Sequence, residues 1–167
     1  MLCRLRYLWA FLLSLSVAVL LRALYVALPC PATAVLTPIS QSPWELGKLV
    51  YWPYLCGALL LWRLEKGESA SHGGHCAALL SATALMLLLC CFFGLLLPLP
   101  LLLGLALGGG MLLYHALLRQ RLLGGQLMWY LLAIALGVAY LLLTALPPDF
   151  GIFLDPRGAA AMAPIPF

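Results

Sequence analysis

Five apolar segments, each long enough to cross a lipid bilayer, make up most of this sequence. The breaks between them are short and carry most of the charged residues. A membrane-spanning helix needs about 20 predominantly apolar residues. The pattern therefore predicts five transmembrane helices, at about residues 8–28, 44–62, 76–97, 101–118 and 125–146.

Charged residues are too few to cover a water-facing surface. They make up 8% of the 167 residues, whereas 65% of the residues are hydrophobic. A soluble domain carries about 25% charged residues because its surface must be hydrated. We therefore expect one all-α integral membrane domain over residues 1–167, with the lipid bilayer as its partner. We interpret the net charge of +4 as a topology signal and not as a nucleic-acid-binding surface.

The first apolar segment shares features with a secretory signal peptide. Arg4 and Arg6 precede it, and small residues follow it at 32–34. A signal core, however, is about 7–15 residues long. This segment is longer and is interrupted by Arg22, so we expect it to be retained as the first span.

The positions of lysine and arginine predict the orientation. The N-terminus and the breaks after spans two and four share six of these residues: Arg4, Arg6, Arg63, Lys66, Arg119 and Arg121. The opposite side has Lys48 and Arg157. Because cytoplasmic loops are enriched in basic residues, we expect a cell (inner) membrane protein with a cytoplasmic N-terminus. The tail, residues 147–167, is then external.

This orientation places the polar residues at the external end, and we refer to them as the polar mouth. Its candidate members are Arg22, Trp44, Glu45, Lys48, Asp149 and Asp155. An arginine inside a membrane span is costly unless it finds a partner or reaches the interface. We therefore expect Arg22 to contact one of the three acids. The apolar residues of the tail, at 150 and 152–154, are expected to lie in the interface or to plug the bundle.

The stretch SQSPWELGKL, residues 40–49, matches a helix-start pattern. In a capping box, the Ser42 hydroxyl accepts from the Glu45 N–H and the Glu45 carboxylate accepts from the Ser42 N–H. Trp44 is expected in the aromatic belt at the membrane surface. Lys48 lies three residues after Glu45, on a compatible face. Capping thus explains the local pattern without any chemistry.

Outside the mouth, no pattern indicates catalysis or metal binding. HGGHC at 72–76 is expected to be a polar cytoplasmic loop, because a closed zinc site needs about four ligands. We expect no deeply buried carboxylate in spans two to five. We also expect no catalytic residue, no metal and no cofactor. The six cysteines are expected to behave as small apolar residues and not as a disulfide framework.

Small residues four apart occur in the last two spans. Gly104 and Gly108 lie in span four, and Ala133 and Gly137 lie in span five. This spacing lets helix backbones approach closely in lipid. It is compatible with packing inside the chain or with a homo-oligomer formed through Gly104 and Gly108.

Two motifs resemble those of a family of small bacterial five-span membrane proteins of unknown function. The family has an N-E-S-x-W-E-H-x-K-L-like signature after the first span, matched here by Ser42, Trp44, Glu45, Lys48 and Leu49. Its Pro-Pro…Asp-Pro tail is matched by Pro147, Pro148, Asp155 and Pro156. The family's acid and histidine in the first motif are Gln41 and Leu46 here, and Asp149 follows the double proline. The resemblance implies a bacterial membrane protein and carries no catalytic role.

Our leading hypothesis is therefore a non-enzymatic binding or accessory subunit, whose mouth takes an apolar ligand or a membrane partner protein. A small transporter or channel that works as an oligomer is the alternative. A membrane-embedded enzyme that uses Glu45 with Asp149 or Asp155 is the third hypothesis.

Overall fold

The computed structural model describes residues 2–28, 30–64, 72–94, 96–118, 126–146, 148 and 151–153. Within these ranges the regular elements are helices and there is no strand. The α-helices are α1 (Leu2–Ala27), α2 (Pro31–Leu36), α3 (Pro43–Leu64), α4 (His72–Phe93), α5 (Leu99–Leu113) and α6 (Gln126–Ala145). A π-helical turn, Tyr114–Leu118, extends α5, and a 3-10 turn, Gly151–Phe153, follows α6. The all-α expectation is thus confirmed for the described part of the chain.

Within the described ranges, four stretches of helix are long and apolar enough to cross a membrane. They are Leu5–Ala27, Gly73–Phe93, Leu99–Ala116 and Gln126–Ala145. Each corresponds to a predicted span. The remaining predicted span corresponds to α3, which carries Glu45, Lys48 and Arg63 and is not among these four stretches.

Helix α3 is the central helix of the bundle. It packs against α1 on one side and α4 on another, and it also contacts α5. Thirteen of its 22 residues are buried. The outer surface of the bundle carries large apolar side chains, such as Leu20 and Phe92, which are 66% and 72% exposed. Helix α3 is therefore largely enclosed by the other helices, whose outward side chains are apolar, as expected where the surroundings are lipid.

The proline-rich break after span one contains a short helix that the sequence did not suggest. Helix α2 begins with proline at its first position, where the missing N–H is not needed. The Thr33 hydroxyl accepts from the Cys30 N–H at 3.1 Å, which stabilises this start. Helix α2 packs against α1 and α6, so residues 31–36 fold back onto the bundle.

The predicted loop at HGGHC is wrong, because α4 already begins at His72. Gly73 and Gly74 are buried. A Cβ at Gly73 would lie 3.2 Å from the Gln126 Cα, at the start of α6. The His75 ring stacks on Tyr114 with 3.8 Å between centroids. Glycine here permits close packing of two helix ends, and this packing extends the helix into the polar segment.

The small residues of span five pack inside the chain. The Tyr51 hydroxyl donates to the Ala133 carbonyl at 2.9 Å, and a Cβ at Gly137 would lie 2.6 Å from the same hydroxyl oxygen. Span four differs. A Cβ at Gly104 would meet no described atom within 4 Å, and one at Gly108 would meet only Phe11, at 3.7 Å. The homo-oligomer through Gly104 and Gly108 stays a prediction.

Candidate functional site

Residue Ser42 caps the start of α3. Its hydroxyl accepts from the Glu45 N–H at 3.3 Å, which confirms one half of the predicted capping box. The other half is wrong. The Ser42 N–H donates to the Ser40 hydroxyl at 3.3 Å, because the Glu45 carboxylate has turned to other partners.

The Glu45 carboxylate forms a buried ion pair with Lys48. Its Oε2 lies 2.7 Å from the Lys48 Nζ, and both side chains are 0% exposed. Oε2 also accepts from the Ile39 N–H at 3.0 Å, while Nζ donates to the Ala34 carbonyl at 3.3 Å. We refer to Glu45, Lys48 and these two backbone groups as the clasp, because they tie residues 34–39 to α3.

The clasp corrects the expectation that spans two to five hold no deeply buried carboxylate. Sequence places Glu45 at a helix start, where an acid is usually exposed. Here the segment that folds back from α1 covers it, and Lys48 neutralises it. A pair of opposite charges removed from solvent must retain both partners, since a lone buried charge is strongly destabilising. The arrangement connects residues 34–39 to α3 and leaves the Glu45 side chain 0% exposed.

Residue Trp44 lies inside the protein and not in the aromatic belt. It is 8% exposed, and its ring lies 4.6 Å from the Tyr140 ring and 5.2 Å from the Phe153 ring, centroid to centroid. The 3-10 turn of the tail packs against α3, and Ile152 and Phe153 contact the core. Both residues are half-buried against the bundle, and the plug stays a prediction. Phe150 and Leu154 lie outside the described residues.

Residue Tyr140 is a member of this site that sequence reasoning missed. It is 0% exposed and packs beside Gly47, where a Cβ would collide with its hydroxyl. Its hydroxyl, the Trp44 indole N–H and the Glu45 Oε1 make no hydrogen bond to the described residues. The available signal was a tyrosine within an apolar span, because a buried tyrosine hydroxyl usually has a specific polar partner.

The Arg22 side chain does not contact Glu45, which pairs with Lys48 instead. It lies on α1 five residues before the end of that helix, and it is exposed. It makes no hydrogen bond or ion pair with any residue in the described ranges. The other two acids predicted as its partners, Asp149 and Asp155, lie outside those ranges.

A cavity of about 390 Å³ lies beside Arg22. Residues of α1, the start of α3, the end of α4 and the start of α5 surround it. The lining is mainly apolar, with Ala18, Leu46 and Leu103 among its members, and Arg22 and Gln41 contribute polar groups. We refer to it as the outer cavity. The opposite end has a larger groove of about 740 Å³, but residues of only α1 and α3 line it.

The described residues bring together part of the predicted polar mouth. Trp44, Glu45 and Lys48 belong to the clasp and its surroundings, while Arg22 faces the neighbouring outer cavity. No group of three or more potential metal ligands occurs among the described residues. No family model, curated protein or solved structure matches this chain. The resemblance to the bacterial five-span family therefore stays a prediction.

Proposed function

We propose that this chain is a non-enzymatic five-span protein of the cell inner membrane that binds an apolar ligand in the outer cavity. The observation that supports it is the cavity itself, which has a volume of about 390 Å³ and is lined by residues of α1, α3, α4 and α5. Ligand sites are concave and mainly apolar, with a few polar groups that orient the ligand, and they commonly lie between the helices of bundles. The outer cavity has this composition.

The length of α3 supports its role as a membrane-spanning helix, the predicted span two, which brings the number of spans to five. Its 22 residues extend about 33 Å at 1.5 Å per residue, and the hydrocarbon core is about 30 Å thick. Its charges are compatible with this role. Glu45 and Lys48 pair with each other at one end, and Arg63 lies exposed at the other end, where it can extend to the interface.

One observation favours the oligomeric alternative. The helix face at Gly104 has no described neighbour within 4 Å of a Cβ position, so a second copy of the chain could approach it closely. The described contacts of Glu45 do not favour the enzyme alternative, because they place its carboxylate in the clasp.

Filling the outer cavity is expected to remove the ligand. Val19 lines the cavity and is 60% exposed, so Val19→Trp adds an indole without disturbing the buried core. Displacing two methylene groups of a ligand at about 0.8 kcal/mol each lowers its affinity about tenfold. Native mass spectrometry after gentle detergent purification is expected to show a ligand adduct on the wild type and about tenfold less on the variant.

Leu20→Trp is the matched control. Leu20 is 66% exposed on the same helix and is not part of the cavity lining. This variant is expected to retain the adduct. A wild-type protein without any adduct, or equal adducts on all three proteins, would contradict the proposed function.

A further inference from the structure

We infer that the ligand of the outer cavity is an anionic phospholipid of the surrounding leaflet, whose phosphate binds Arg22. The inference rests on the proposed function, since it names the ligand of the same cavity. In this arrangement an acyl chain packs against the apolar lining, and the headgroup lies at the polar rim formed by Arg22 and Gln41.

The charge of Arg22 is the first support. Arg22 lies five residues before the end of α1. At 1.5 Å per residue, this places it about 7.5 Å from that end along the helix axis. A charge within a membrane span is costly, and arginines within spans pair with an acid or extend to a headgroup. The nearby described acid, Glu45, is neutralised by Lys48. An anion supplied by the bilayer would neutralise Arg22.

The chemistry of the side chain selects a phosphate. A guanidinium remains charged, and its planar donors match two phosphate oxygens at once. A headgroup at the membrane surface presents such a phosphate at the depth that an arginine near a helix end can reach.

Two helix starts add positive potential at the cavity. Pro43, the first residue of α3, and Leu99, the first residue of α5, both line it. The N-terminal end of a helix carries a partial positive charge that favours an anion. Together with Arg22, these ends make the rim of the cavity complementary to a negative group.

The shape of the lining selects a lipid over a free anion. Val19 belongs both to the lining and to the exposed outer surface of α1, so the apolar wall continues from the cavity to the bilayer. Ala18 and Leu102, 0% and 2% exposed, form buried parts of the same wall. A free phosphate would use only the rim, whereas a phospholipid would use the rim and this wall.

Lipid competition measured by native mass spectrometry tests the inference. The purified full chain is equilibrated with mixed micelles containing equal amounts of phosphatidylglycerol and phosphatidylcholine with the same acyl chains. We expect a preference for phosphatidylglycerol in the wild type that falls about tenfold in Arg22→Gln, as for the loss of a charge-assisted bidentate contact of about 1.4 kcal/mol.

Two further variants complete the experiment. Arg63→Gln removes the same charge at the opposite end of the bundle, from an exposed side chain that does not line the outer cavity, and is expected to keep the preference. Arg22→Lys is expected to restore part of it, because the charge returns without the planar donors. Thermal unfolding of each variant in detergent establishes that it is folded.

The outcomes separate this inference from the proposed function. Suppose that Val19→Trp lowers the adduct but the wild type shows no preference for phosphatidylglycerol, or that Arg22→Gln retains this preference. The ligand is then not held by its charge, and the inference is overturned. If Val19→Trp leaves the adducts unchanged, the cavity is not the binding site and both proposals fail. Loss of preference in Arg22→Gln alone, together with loss of adduct in Val19→Trp, supports both.

Discussion

Replacing Lys48 by methionine is expected to destabilise the folded protein by about 3–5 kcal/mol, as for the removal of one partner from a buried ion pair. Glu45 would be left 0% exposed and without the Nζ that now lies 2.7 Å from its Oε2. The Ala34 carbonyl would also lose its donor. Methionine has a similar length and an apolar end, so the loss should reflect charge more than volume. Thermal unfolding in detergent and the amount of monodisperse protein measure the effect.

The double variant Glu45→Gln with Lys48→Met is the control. It removes both charges and leaves an amide oxygen to accept from the Ile39 N–H, which now donates to Oε2. Replacing a whole buried pair by neutral residues is often close to neutral, so the double variant is expected to recover most of the lost stability. A double variant as unstable as Lys48→Met would contradict the clasp.

Replacing Gly110 by alanine is expected to destabilise the bundle by about 1–3 kcal/mol, the range for overpacking a filled interior. The added Cβ would lie 2.6 Å from the Ala82 Cβ and 2.9 Å from a ring carbon of Tyr54. It would also lie 3.3 Å from the Ala78 carbonyl oxygen. The neighbours at positions 78 and 82 belong to the body of α4 and cannot rotate away, so α5 must shift from α4 and α3.

Gly104→Ala on the same helix is its matched control. Its Cβ would meet no described atom within 4 Å, so alanine should leave the unfolding temperature nearly unchanged. Measured side by side, the two variants separate close packing from the general effect of adding a methyl group to α5. Equal effects of the two substitutions would contradict the packing of α5 against α4 at Gly110.

The apolar runs were sufficient to predict where the long helices lie. Length and composition are local properties, and a 20-residue apolar run bounded by proline or charge has few alternatives in lipid. The helix start at Ser42 was likewise predictable, since a serine before proline is a local signal. The same signal predicted the hydrogen bond from the Glu45 N–H to the Ser42 hydroxyl, which is 3.3 Å long.

The clasp could not be predicted in the same way. It depends on α2 folding back so that the Ala34 carbonyl and the Ile39 N–H reach the side chains of α3. That approach is tertiary, and no local pattern in the proline-rich break encodes it. The early start of α4 has a similar cause. The helix includes Gly73 because this residue packs closely against Gln126 of α6, and the polar neighbours of Gly73 in the sequence do not indicate that contact.

Of the three acids predicted as partners of Arg22, Glu45 lies elsewhere for a geometric reason, and Asp149 and Asp155 lie outside the described residues. Sequence gives the depth of a residue along a helix but not which neighbour it faces. Glu45 and Lys48 share one face of α3, towards residues 34–39, whereas Arg22 lines the outer cavity. Two side chains at the same end of the bundle can therefore have different neighbours.

The location of the two termini tests most directly whether α3 crosses the membrane with its clasp at the external end. Five crossings place the termini on opposite sides, whereas the four most apolar helices alone would place them on the same side. A reporter active only in the cytoplasm is fused before Met1 in one protein and after Phe167 in another. We expect activity from the first fusion and none from the second, at equal protein amounts. Activity from both fusions would contradict a membrane crossing by α3.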